Sequence, residues 1–224
     1  MKKIDYSLYL VTERSLLCGI ELEAAVEKAI LGGTTLVQLR EKNLSTKEFY
    51  DIAVNIKKVT DKYKVPLIIN DRLDIALAVH AAGIHVGQSD MPCDIARKFV
   101  GENKIVGVSA HTVEEALKAQ KDGADYLGVG AVFTTGTKKD AEDVSIETLK
   151  EIVKKVNIPV VAIGGVSQNN VDELAGTGIN GIAVISAILG KKDIEKAAED
   201  LKRAVKTIVN KGVVQNKIIS GSSA

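Results

Sequence analysis

The chain is predicted to be an α/β protein, a single-domain (β/α)8 barrel of the TIM type. Three observations predict it. Short apolar runs alternate with longer stretches of helical periodicity, the apolar runs number eight, and they repeatedly give way at their ends to polar residues. Buried parallel strands read as unbroken apolar runs, and in a parallel α/β barrel the carboxyl ends of the strands face the active site. The clearest case is Pro66 to Ile69, followed without a turn by Asn70, Asp71 and Arg72.

In order, the predicted strands are Leu8–Thr12, Leu36–Arg40, Leu67–Asn70, Ile84–Gly87, Ile105–Ala110, Tyr126–Val132, Val160–Gly164 and Gly181–Ile185. Helical patterns lie between them at Glu21–Leu31, Thr46–Lys62, Val113–Asp122, Ile146–Val156 and Ile194–Val209. Leu22, Ala25, Val26, Ala29 and Ile30 have the i, i+3, i+4 spacing of a core-facing stripe. The steps Gly32-Gly33, Ala82-Gly83 and Gly123-Ala124 read as left-handed helix ends before the next strand. Residues Met91 to Gly101, after the fourth strand, look short for a full helix. An open doubly wound sheet is the competing fold, but the first strand ends in Thr12-Glu13-Arg14, which is no glycine fingerprint. The barrel is expected to occupy residues 1–210, with 211–224 a tail lacking an amphipathic pattern, frayed or partly foreign to the natural protein.

With 224 residues, 46% hydrophobic and 26% charged, the composition fits a globular protein with a sizeable core. A net charge of +1 argues against a nucleic-acid groove or a membrane-binding surface, so any anion site must be local. Two cysteines, Cys18 and Cys93, make no disulfide framework or zinc spacing and suit reduced thiols. The first residues lack an apolar signal core, and no stretch approaches the ~18 apolar residues of a membrane span. A cytoplasmic protein is expected. The pattern carries no signal of oligomeric state.

The strand ends form a constellation. Gln38, Arg40 and Lys42 are two apart and share a face of the second strand. They read either as an anion clamp or as a solvated end with an Arg–Glu pair to a neighbour. Asp71 and Asp90, at adjacent strand tips, suit a hard cation such as Mg²⁺ held by carboxylates and substrate phosphates. Each could instead cap the following helix. Ser109 can donate to a phosphate oxygen. His111, at a helix start, reads as a cap more readily than as a base, and His80 and His85 show no partner in sequence. Thr134 to Asp140 read as a phosphate-gripping loop or an ordinary polar one. Gly164-Gly165 and a short helix opening at Ser186 match the phosphate site of such barrels. Two anion sites at one mouth are thus implied, one with metal and cations, the other suited to a monophosphate.

These residues resemble the thiamine phosphate synthase family across nearly the whole chain, from Leu8 to Ile188. The motifs that carry the resemblance are Val37 to Lys42, Ile69 to Asp71, His85 to Asp90, Gly107 to His111, Thr135 to Lys138 and Ile163 to Gly165. The resemblance implies a transferase joining a pyrimidinylmethyl diphosphate to a thiazole monophosphate, giving thiamine phosphate and pyrophosphate with Mg²⁺. It implies that the segment Gln38, Leu39, Arg40, Glu41 and Lys42, with Asn70, Ser109 and Lys138, binds the diphosphate substrate. It implies Asp71 and Asp90 as metal ligands, and Thr135, Gly136, Thr137, Gly165, Ile185 and Ser186 around the thiazole phosphate. Thr134 stands where the family commonly has proline, and Gly136 where it has a larger residue.

No covalent nucleophile or general base is expected. An electron-rich aminopyrimidine supports positive charge on its exocyclic methylene as pyrophosphate departs, so the protein needs chiefly electrostatic stabilisation and alignment. A thiazole tautomerase on the same barrel would lack the combined Arg40, Lys42, Asn70, Asp71 and Asp90 set. A non-catalytic phosphate sensor would need no second anion site.

Overall fold

The computed structural model describes residues 4–134 and 143–220, with side chains through Val209. Eight parallel strands close into a barrel in sequence order: β1 (Leu8–Val11), β2 (Leu36–Leu39), β3 (Leu67–Asn70), β4 (Gly83–Val86), β5 (Ile105–Ala110), β6 (Tyr126–Val129), β7 (Val160–Ile163) and β8 (Gly181–Val184). Closure is direct, because β1 pairs with both β2 and β8. The helices are α1 (Leu22–Leu31), α2 (Thr46–Lys62), α3 (Leu73–Ala78), α4 (Cys93–Val100), α5 (Val113–Lys121), α6 (Ile146–Lys155), α7 (Ser186–Leu189) and α8 (Ile194–Ser220).

Helix starts follow local chemistry. Ser45 and Glu48 form a reciprocal capping box at α2, and Thr112 and Ser145 accept backbone N–H groups at α5 and α6. The stripe Leu22, Ala25, Val26, Ala29 and Ile30 is buried against the barrel, as its spacing requires. The segment after β4 does make a helix, but only the eight residues of α4. α8 continues past Val209 to Ser220, so backbone helix extends into a stretch whose sequence shows no amphipathic pattern.

Two local expectations need correction. Ala82-Gly83 is not a left-handed helix end. His80 supplies that conformation, with φ 52°, and Gly83 opens β4. A Cβ on Gly83 would lie 2.1 Å from the Ile105 carbonyl oxygen, so close strand approach accounts for this glycine. The sixth strand stops at Val129 rather than Val132, and the next residue, Gly130, lies so close to the Ile163 carbonyl that a Cβ there would clash with it. Gly33 and Gly123 do take the left-handed conformation, at φ 106° and 94°.

The pleat divides the core in two. Outward residues such as Leu8, Leu10, Val37, Leu39, Leu67 and Ile69 pack under the helices. Inward residues Tyr6, Tyr9, Leu36, Ile68, Ile105, Tyr126 and Val161 fill the barrel axis. The Tyr126 ring is accommodated by Gly107, where a Cβ would sit 2.1 Å from the tyrosine Cζ. Gly107→Ala should therefore force the ring or a strand aside and cost roughly 1–3 kcal/mol. Urea unfolding of the variant measures the loss, and an unchanged midpoint would contradict the close fit.

Candidate active site

Alternation along β2 builds one wall of the pocket at the carboxyl ends of the strands. Leu36 and Gln38 face the axis, and beyond the strand Arg40 and Lys42 continue on the same side to line the mouth. Leu39 and Glu41 point the other way. Leu39 is fully buried in the outer core and Glu41 turns to Arg14, so neither side chain lines the pocket. Thr12 pins this strand end, donating its N–H to the Gln38 carbonyl (2.9 Å) and accepting the Arg40 N–H (3.0 Å).

From β3, Asn70 is inward and buried. Regular alternation would then send Asp71 outward. Instead Asp71 adopts φ 60°, a conformation aspartate tolerates better than most residues, and its carboxylate joins the mouth. Its N–H still bonds the His85 carbonyl at 2.8 Å, which fixes it against β4. Asp90 reaches the same place from the loop after β4, its Oδ2 accepting the Gly87 N–H at 2.8 Å. Neither carboxylate caps the helix that follows it: Arg72 and Pro92 occupy those positions.

The charges are mutually paired. Arg40 Nη1 donates to Glu13 Oε2 at 3.2 Å, the neighbour pair that the solvated-end reading foresees, yet Arg40 also lines the pocket. Arg14 Nε lies 2.9 Å from Glu41 Oε1 as an ion pair without a well-directed hydrogen bond. Burial pushes the Glu41 carboxyl above the usual range, against the pull of Arg14. Lys42 Nζ sits 2.5 Å from Asp71 Oδ2. Even so, burial raises the Asp71 carboxyl above its ordinary value, and the neighbouring Asp90 carboxylate adds to the rise against Lys42.

Ser109 of β5 and His111 beyond it also line the pocket. His111 is engaged by Glu115, which accepts its backbone N–H at 2.7 Å and lies 3.1 Å from Nδ1. The opposite wall is Gly164, Gly165, Ile185 and Ser186. Gly165 has φ 65°, and a Cβ there would lie 2.5 Å from the Phe133 carbonyl oxygen, so the two loops demand glycine. Thr135, Gly136, Thr137 and Lys138 lie outside the described residues. Sequence reasoning passed over Tyr9, Tyr126 and Glu13 and dismissed His85, although Tyr9, Tyr126 and His85 line the pocket. The inward period of their strands would have found those three.

The sequence model of one family, thiamine monophosphate synthase, matches residues 8–188. The chain belongs to the thiamine monophosphate synthase family. A thiamine-phosphate synthase of Clostridium tetani is 67% identical over 200 residues, covering 89% of this chain and 96% of the relative. One from Clostridium botulinum is 60% identical over 200 residues, covering 89% and 94%. The solved thiamine phosphate pyrophosphorylase of Pyrococcus furiosus superposes with a TM-score of 0.85 at 42% identity, covering 92% of this chain and 98% of its own. The matched span of the thiamine monophosphate synthase family includes every pocket residue named above.

Two adjacent carboxylates at the mouth, Asp71 with its proton affinity raised by burial, are an oxygen donor set that fits a hard divalent cation. Among the described residues no three His, Cys, Asp or Glu side chains cluster as a metal cage, so ligand oxygens and water would complete the shell.

Unfolded, Asp71 ionises at its ordinary value, whereas folded it keeps its proton to higher pH. Between those two values the native state binds the extra proton, so stability falls as pH rises through that window. At neutral pH the ionised residue is a destabilising element. Asp71→Asn keeps the shape and tolerates the positive φ, so in metal-free buffer at pH 7 it should melt no lower than wild type. The difference should shrink as the pH approaches about 4. Differential scanning fluorimetry checks both, and a lower melting temperature at pH 7 would mean that the Lys42 pair outweighs burial.

Proposed function

We propose that the protein couples 4-amino-2-methyl-5-(diphosphooxymethyl)pyrimidine with 4-methyl-5-(2-phosphoethyl)thiazole or its carboxylated form, releasing thiamine phosphate and pyrophosphate. The observation that carries this is the meeting of Arg40, Lys42, Asp71 and Asp90 at one mouth, facing the Gly164-Gly165 and Ile185-Ser186 wall. Membership of the thiamine monophosphate synthase family and the names of its close relatives support the same reading. A tautomerase would have no use for the four charged groups together.

Arg40 presents a planar fork and Lys42 a point charge to the diphosphate. To do so they exchange Glu13 and Asp71, their present partners, for phosphate oxygens. Asn70 and Ser109 add polar contacts, with Gln38 deeper in the pocket, and the resemblance assigns Lys138 to the same set. Asp71 and Asp90 would hold Mg²⁺. When bound, the ion supplies positive charge to the diphosphate oxygens, which stabilises the leaving group. Heterolysis of the methylene C–O bond sends its electron pair to pyrophosphate and leaves positive charge shared with the aminopyrimidine. The thiazole nitrogen lone pair then forms the new C–N bond. The wall of Gly165, Ile185 and Ser186, with Thr135, Gly136 and Thr137, holds the thiazole phosphate so that this nitrogen faces the methylene, a proximity effect.

Among the described residues no helix is long and apolar enough to cross a membrane. The reading takes small phosphorylated molecules as the only substrates and the cytoplasm as the site of action.

Mixing both substrates with Mg²⁺ should yield thiamine phosphate and pyrophosphate in equal amounts, and chelation should abolish turnover. Arg40→Ala and Asp71→Asn should each lower kcat/KM by about 100-fold or more with an unchanged circular dichroism spectrum. No product from the complete mixture would end the proposal. Full activity of Asp71→Asn would end the metal assignment alone.

A further inference from the structure

The floor of the pocket carries a buried polar chain that crosses the barrel. Gln38 Nε2 donates to Tyr9 Oη at 2.7 Å, and Tyr9 Oη lies 2.8 Å from Tyr126 Oη. Tyr126 Oη lies 2.8 Å from His85 Nδ1, and His85 Nε2 lies 3.0 Å from Ser109 Oγ. The members come from β2, β1, β6, β4 and β5. Tyr126 is 0% exposed, Tyr9 1%, Gln38 4% and His85 8%, so solvent does not compete for the bonds among these four, and half-buried Ser109 ends the chain at the pocket.

Proton bookkeeping gives the chain a direction. An amide nitrogen only donates, so Tyr9 accepts from Gln38, and the arrangement that leaves no buried phenol proton unpaired sends the Tyr9 proton to Tyr126. In that arrangement Tyr126 donates to His85 Nδ1, which is then the ring nitrogen without a proton. The ring proton then falls on Nε2, which donates to Ser109 Oγ. With its oxygen accepting from His85, Ser109 has its own proton left for the pocket.

We propose that Tyr9, Tyr126 and His85 are positioning residues that transmit the orientation of the Gln38 amide to Ser109 and make that hydroxyl a donor toward the substrate. The ligand chemistry this selects is a ring with an acceptor nitrogen above Ser109. An aminopyrimidine offers one. The identity of the ring rests on the thiamine phosphate reading, whereas the direction of the chain does not. Burial raises the proton affinity of both phenols, so they serve as neutral relays rather than as bases. If the amide presented its oxygen to Tyr9, every bond would reverse and Ser109 would become an acceptor.

The test is long-range ¹H–¹⁵N NMR of histidine-labelled protein, read beside steady-state kinetics. Wild type should show His85 protonated on Nε2. Gln38→Glu places an acceptor under Tyr9, so the His85 proton should move to Nδ1. Tyr126→Phe keeps the ring and cuts the chain, so His85 should populate both tautomers. In each variant KM for the pyrimidine diphosphate should rise roughly 10-fold, the size of one aligned hydrogen bond. KM for the thiazole phosphate should stay unchanged, which a general loss of structure would not spare. An Nδ1–H tautomer in wild type overturns the proposal, as does one unchanged tautomer in all three proteins. Tautomer changes as expected in a protein that forms no product would uphold the chain and remove the thiamine phosphate reading.

Discussion

Ring closure governs this molecule. Eight parallel strands hydrogen-bonded in a circle leave no free edge, and every second side chain is driven onto the axis. That space is narrow. It holds the rings of Tyr6, Tyr9 and Tyr126, with Tyr126 tilted against Tyr6 at 5.0 Å and edge-on at 5.8 Å from Tyr9, only because Gly107 yields room opposite. Three phenols in a barrel interior must satisfy their hydroxyls. Tyr9 and Tyr126 do so through Gln38 and His85, so the packing solution and the polar floor of the pocket are one arrangement.

Above that floor the strand ends carry charge into a partly buried setting, and among the described residues Arg14, Arg40 and Lys42 each have an acidic partner. Glu13 with Arg40 and Arg14 with Glu41 cross between the loops after β1 and β2, and Lys42 sits on Asp71. The pairs keep the cations ordered where an unpaired charge would be costly. The exception to easy compensation is Asp71, which remains uncomfortable between burial and Asp90. Such discomfort is characteristic of groups kept for chemistry rather than stability.

Much of this was legible in the residues themselves. The apolar runs located all eight strands, and for β3, β5 and α2 the boundaries agree with the structure to the residue, because turns or caps bracket them on both sides. The same period of two placed Gln38, Arg40 and Lys42 on one face, and applied more strictly it would have excluded the side chains of Leu39 and Glu41. Other features depend on distant parts of the chain. Nothing near Asp71 announces a left-handed backbone that turns its carboxylate inward. Gly83 resembles a helix end until the Ile105 carbonyl is seen against it. His85 lacks a partner in sequence because its partners, Ser109 and Tyr126, are 24 and 41 residues away.

The crossed pairing of acids and bases at the mouth bears on how a multiply charged molecule finds the protein. Opposite charges a few ångströms apart cancel beyond a Debye length, and the chain as a whole carries only +1. The surroundings therefore exert little long-range pull on a diphosphate. Encounter is left to ordinary diffusion, and discrimination begins only at contact, when carboxylates surrender their cations to phosphate oxygens.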